Sequence, residues 1–126
     1  MSLRTPLGRV LGLGSAREGA HHWWAQRLTA VALIPLTIWL VYSVVCMTTL
    51  DYIAAIGWLQ SPITSSLLVL FVIALFYHAQ LGMQVVIEDY VECEVIKITS
   101  IVVLKFIIWF TGLASIMAIL KVFLGL

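Results

Sequence analysis

The chain has 126 residues, 63% of them hydrophobic and only 10% charged, with a formal net charge of +1 and a mean hydropathy of +1.11. That composition excludes a water-soluble globular domain and, with so little net charge, a nucleic-acid partner. With two cysteines and no G-x-G-x-x-G loop, the chain also has no means of its own to hold flavin or an iron–sulfur cluster.

From the N-terminus, residues 1–27 carry Arg4, Arg9, Arg17 and Arg27, are poor in acids up to Glu18, and end on His21, His22, Trp23 and Trp24. The segment has no apolar h-region of its own, so it reads as an interfacial stretch with a tryptophan belt and not as a targeting peptide. Lacking a convincing cleavable presequence, the chain is expected in a bacterial inner membrane sooner than a mitochondrial one. A first apolar run of about 28–50 follows, with Pro35 expected to bend it. After a short segment 51–60, Ser61 and Pro62 form an N-cap and first-turn proline that open a second run, about 63–87. Next comes an acidic loop with Glu88, Asp89, Glu92 and Glu94, closed by Lys97, and then a third run of about 98–124.

Each run meets the roughly 20 residues needed to cross a hydrocarbon core as a helix. Period-two alternation is absent, and backbone hydrogen bonding in lipid leaves helices as the remaining option. The expected fold is therefore all-α, with three transmembrane helices in a single domain of residues 1–126 that joins a larger heteromeric helix bundle in the lipid bilayer. Basic residues cluster before the first run and at Lys97, against Lys121 alone on the other side. The positive-inside rule then puts the N-terminus and the 88–97 loop on the cytoplasmic (matrix) side. Cys46 and Cys93 fall on opposite sides in that topology and cannot pair.

His78 lies inside the second run, at an estimated ~13 Å from its inner end at 1.5 Å per residue. An imidazole there loses hydration that lipid does not replace, so it needs a partner. Ala74, Gly82, Val85 and Asp89 share its helical stripe. The small residues at 74 and 82 admit either a neighbouring helix or a flat macrocycle. Position and spacing therefore suit two roles equally: axial ligation of haem iron, or a hydrogen bond to a Ser or Thr of a neighbouring helix that stitches the bundle.

The run HAQLGMQVVIEDYV, His78 to Val91, resembles the H-x-x-x-G-M-x-x-x-x-x-D-Y block of the hydrophobic membrane-anchor subunit of succinate dehydrogenase, respiratory complex II. GAHHWWAQRLTAVAL, with His21, Arg27 and Thr29, resembles that family's entry into its first helix. The resemblance implies that His78 is an axial ligand of a haem b, with the second axial histidine from another anchor subunit. It implies that His21 and Arg27 lie near the haem propionates, and that Tyr90 and Asp89 help form the ubiquinone site. A phenol donor beside a carboxylate suits a quinone that takes up two electrons and two protons. The implied partners are a second membrane-anchor subunit, an iron–sulfur subunit and a flavoprotein subunit. No catalytic residue is expected in this chain alone, since catalysis would belong to the assembled enzyme.

Other residues fall outside the pattern. His22 has no family counterpart and is expected at the headgroups, Met83 is rotated about 100° from the His78 stripe and reads as packing, and Lys105 in the third run reads as a snorkelling cation. Glu92 and Glu94 read as a solvated loop face. Three alternatives remain open: a fumarate reductase anchor, a haem-free docking anchor, and a small proton or ion transporter relaying through His78 and Lys105. The last has no inverted repeat to support it.

Overall fold

The computed structural model describes residues 15–47 and 51–126, with side chains from Gly19 onward. Four α-helices and no strand occur among the described residues: α1 (Ser15–Val45), α2 (Tyr52–Leu59), α3 (Pro62–Tyr90) and α4 (Glu94–Phe123). Arg4, Arg9 and the end of the first expected span, residues 48–50, lie outside the described residues, as does the side chain of Arg17.

α1, α3 and α4 have 31, 29 and 30 residues. At 1.5 Å per residue each is roughly 45 Å long, enough to cross a ~30 Å hydrocarbon core and enter the headgroups at both ends. This explains why the helices outrun the apolar stretches. Hydropathy stops where water begins, whereas a helix stops where its backbone is broken. Residues 15–27, expected as a separate interfacial segment, are instead the first turns of α1: they contain no proline, and Ala, Arg, Glu and Gln favour helix. Pro35 consequently sits far inside α1, which continues through it. At the other turn α3 runs on to Tyr90 and α4 begins at Glu94, so the acidic connection shrinks to residues 91–93 and Asp89 and Tyr90 become helical. Glu94 in the first turn of α4 and Lys121 in its last both complement the helix dipole.

The start of α3 follows its sequence in part. Ser61 occupies the N-cap and Pro62 the first helical position, but the Ser61 hydroxyl makes no cap bond. Ser65 Oγ instead donates to the carbonyl of Leu59, tying α3 to the end of α2. Trp58 of α2 stacks on Trp39 of α1 with centroids 5.9 Å apart, and Gln60 Nε2 donates to the Val122 carbonyl of α4 at 3.4 Å. α2 thus gathers all three long helices at the end opposite the 91–93 turn. α4 ends in a Schellman cap: Leu126 N–H donates to Lys121 O at 3.0 Å and Gly125 N–H to Val122 O at 3.1 Å. Gly125 supplies the required positive φ of 71°.

α3 is the middle of the row. It packs on α1 along one side and on α4 along the other, and among the described residues α1 and α4 do not touch each other. An open row encloses very little: Leu81, Thr64, Ser65 and Gly112 are the buried residues among those described. In water this would be no core at all. In a bilayer the exposed apolar faces meet lipid tails or the helices of another subunit, and close contact depends on small residues. Gly112 is buried in such a contact, with room for no more than a methyl group: a Cβ placed there would meet the ring of Phe76 at 3.7 Å.

Candidate functional site

His78 points from α3 toward α1. Its Nδ1 lies 3.1 Å from Thr29 Oγ1, and the same hydroxyl is 2.8 Å from the Ala25 carbonyl and 3.0 Å from that of Gln26. A helical threonine normally sends its proton back to such a carbonyl. With that proton committed, Oγ1 is left to accept from the Nδ1–H of His78. Nε2, the other ring nitrogen, makes no hydrogen bond among the described residues.

Two turns of α1 continue this contact. Gln26 Nε2 lies 3.6 Å from where a Cβ on Gly82 would be. The small-residue notch beside His78 is therefore filled there by a neighbouring helix. Thr29 opposite His78 and Gln26 opposite Gly82 fix an antiparallel register, which brings His22 level with Val85 and Val86. The Gln26 Oε1 and His22 Nε2 atoms are enclosed and have no hydrogen-bond partner among the described residues. His22 was expected at the headgroups; its imidazole is half-buried, with Nε2 enclosed, because 22, 26 and 29 fall on the α1 stripe that faces α3. That i, i+4, i+7 spacing was the available signal, missed because Gln26 carried no motif.

The remaining expected residues are spread around this centre. His21 and Arg27 are both exposed, separated by about 120° around α1, so this chain does not bring them together. The Arg27 guanidinium lies 5.3 Å from the Trp23 ring centroid, a cation–π contact that holds it along the helix. Trp23 in turn meets Trp24 edge-on at 5.2 Å. Asp89 continues the His78 stripe at the end of α3, while Tyr90, its last residue, is 82% exposed. No hydrogen bond joins these two side chains, and the neighbouring Glu88 accepts from Gln84 Nε2 at 2.8 Å. Met83, read as packing, is exposed in this chain. Lys105 belongs to α4, which meets the Phe76 side of α3, about 160° around the helix from His78. The His78–Lys105 relay of the transporter alternative therefore has no contact to run through.

Among the described residues no group of three or more His, Cys, Asp or Glu side chains forms a metal cage. Cys46 and Cys93 are free and exposed. Within the apolar runs 28–50, 63–87 and 98–124, His78 is the one imidazole among the described residues.

Over residues 1–114 the sequence matches the family described as succinate dehydrogenase/fumarate reductase transmembrane subunit. The chain belongs to this family. It is 39% identical over 116 residues to the succinate dehydrogenase hydrophobic membrane anchor subunit of Rickettsia bellii, a match covering 92% of this chain and 93% of that one. It is 30% identical over 102 residues to the succinate dehydrogenase membrane anchor subunit of Reclinomonas americana, covering 79% and 85%. The hydrophobic membrane anchor subunit of Paracoccus denitrificans is 34% identical over 88 residues, covering 70% and 68%. As an anchor subunit of succinate dehydrogenase, the chain is part of an oxidoreductase complex. Its three long apolar helices, Gly19–Val45, Pro62–Tyr90 and Glu94–Phe123, together with the Rickettsia and Paracoccus membrane anchors it resembles, make it a multi-pass protein of the bacterial inner membrane.

Proposed function

We propose that this anchor subunit supplies one axial ligand, His78 Nε2, to a haem b shared with a second membrane-anchor subunit, and one side of a ubiquinone-reduction site, while docking the iron–sulfur and flavoprotein subunits. The carrying observation is the His78–Thr29 contact, which occupies Nδ1 and leaves Nε2 as a donor on a mid-membrane helix. Magnitudes favour a second partner. An interhelical hydrogen bond within a membrane is worth about 0.6 kcal/mol on average, whereas an unpaired buried polar group costs about 1–3 kcal/mol. Stitching α3 to α1 therefore does not by itself offset placing an imidazole at this depth.

The residues present fit a haem. A neutral imidazole with one nitrogen committed is the ordinary form of a ligating histidine. The enclosed, unpartnered His22 Nε2 and Gln26 Oε1 lie on the same face toward the end of α3 that carries Asp89, where a polar group or water is required to satisfy them. When bound, a haem supplies one-electron redox chemistry. This chain's part would be to hold it through His78 Nε2. Arg27 and His21, exposed near the same end, are available to neutralise propionates together with partner residues.

The exposed Tyr90 closes α3 with its phenol unpaired among the described residues, suited to donate a hydrogen bond to a quinone carbonyl. Asp89, one residue before it on the His78 stripe, is suited to relay protons from the aqueous side. The short 91–93 turn and the acids at 88, 89, 92 and 94 supply a compact polar end for the soluble subunits, on the cytoplasmic side by the positive-inside rule.

Docking without haem is the second reading. It is favoured by the same Thr29 bond, since that bond already gives His78 one partner. The two part in the optical spectrum of the purified four-subunit complex. Haem ligation predicts a reduced b-type band that disappears in His78→Ala with all subunits still present. An unchanged band in that variant would overturn the ligand assignment, and a wild-type complex with no band would leave docking alone.

A further inference from the structure

We infer that Thr29 is a positioning residue for the haem: by accepting Nδ1–H it holds His78 in the tautomer and ring plane that aim the Nε2 lone pair at iron. The inference rests on the haem reading above and extends it to a residue on a different helix. A hydroxyl has one proton and two acceptor lone pairs. Thr29 Oγ1 lies 2.8 Å from one carbonyl oxygen and 3.0 Å from another. If its proton pointed at His78 instead, two lone-pair-bearing oxygens would face Oγ1 at contact distance with no hydrogen between them. The proton therefore goes to the α1 backbone, Nδ1–H is the donor to Thr29 Oγ1, and Nε2 is the ring nitrogen turned away from α1's hydroxyl.

Two consequences follow. An imidazole whose far N–H is hydrogen-bonded is a stronger electron donor, which favours ferric over ferrous iron. Because Thr29 is β-branched and anchored to its own helix, its oxygen has little freedom, so the ring plane is fixed by α1 and not by α3 alone. Partners of this kind typically change metal affinity roughly 10- to 100-fold when removed.

The test uses the complete membrane complex carrying Thr29→Val, Thr29→Ser and Thr29→Ala, with His78→Ala as control. Midpoint potential and the ferric electron paramagnetic resonance spectrum are read alongside haem content. Thr29→Val keeps the shape and removes the acceptor. It is expected to shift the ferrous-over-ferric preference upward by about tenfold, which for a one-electron couple is about 59 mV, and to change the ferric g-values. Thr29→Ser, which keeps the acceptor, is expected to match wild type. Should Thr29→Val fail to assemble, Thr29→Ala carries the same expectation with less bulk. A structural role alone would lower complex yield while potential and g-values stayed at wild type in both variants, and that result overturns the inference. His78→Ala separates the levels. If it loses haem while the threonine variants are spectroscopically silent, only Thr29 falls; if it keeps haem, the ligand assignment falls and the Thr29 inference with it.

Discussion

The two sides of α3 are built from different chemistry. Against α4 the contact is apolar and shape-driven, with the Phe76 ring lying on Gly112. Against α1 it is polar: His78 meets Thr29, Gln26 lies over Gly82, and two enclosed atoms, His22 Nε2 and Gln26 Oε1, have no partner among the described residues. Lipid does not penalise an apolar interface, so the α4 side needs no explanation beyond close packing. Unsatisfied polar atoms within a bilayer do need one. Function is therefore expected on the α1 side and assembly on the α4 side.

The largest separation of the two sides comes from His78→Ala, which is expected to abolish the haem band of the complex while Phe76 and Gly112 hold α4 in place. Optical difference spectra with subunit quantification check it. On the other side, Gly112→Leu adds four carbons against Phe76 in a site where a Cβ already makes ordinary contact at 3.7–3.8 Å. Overpacking of this sort costs about 1–3 kcal/mol. The variant is expected to unfold at lower temperature in a detergent-solubilised melt, with the haem spectrum of the surviving complex unchanged. Gly112→Ala, by contrast, fits the existing space, and it is expected to be neutral or slightly stabilising because alanine favours helix over glycine by about 1 kcal/mol.

Much of this contrast was legible in the chain, and the illegible part has a physical cause. Three apolar runs of spanning length announced the three long helices, and His78 announced itself by being the one imidazole inside them. The ends of the helices were misjudged because hydropathy locates lipid and not backbone termination, which is why residues 15–27 and Tyr90 joined helices. The short helix α2 was missed because eight apolar residues show too little periodicity to stand apart from a loop. At the site, the stripe through His78, Gly82 and Asp89 followed from helical spacing within α3. The residues opposite it did not, because the pairing of 29 with 78 depends on how α1 and α3 are registered, and no local pattern carries that information. His22 was assigned to the wrong environment for the same reason.

Tyr90 extends the comparison to the end of α3, where neither neighbouring helix covers the side chain. Tyr90→Phe removes one neutral hydrogen bond, worth about 1 kcal/mol, without altering bulk. It is expected to lower succinate–quinone reductase turnover roughly 5- to 10-fold, since about 1.4 kcal/mol corresponds to tenfold. Succinate oxidation by an artificial acceptor that bypasses the quinone, and the haem spectrum, are expected to stay unchanged. Equal loss in both assays would move Tyr90 from the quinone to subunit docking.

The smallest effect is expected at Lys105, although an ionisable residue within a span is a functional suspect by default. It is exposed on α4, the helix that touches α3 on the Phe76 side, and it makes no ion pair or hydrogen bond among the described residues. Its four-carbon stem is long enough to carry the ammonium toward the headgroups. Lys105→Met keeps most of that stem and removes the charge. Surface changes away from special features usually stay within about 0.5 kcal/mol, so stability, haem potential and quinone reductase turnover are all expected to remain close to wild type. A marked loss of turnover with the haem unperturbed would put chemistry on the α4 side, and the division between a functional α1 face and a packing α4 face would no longer hold.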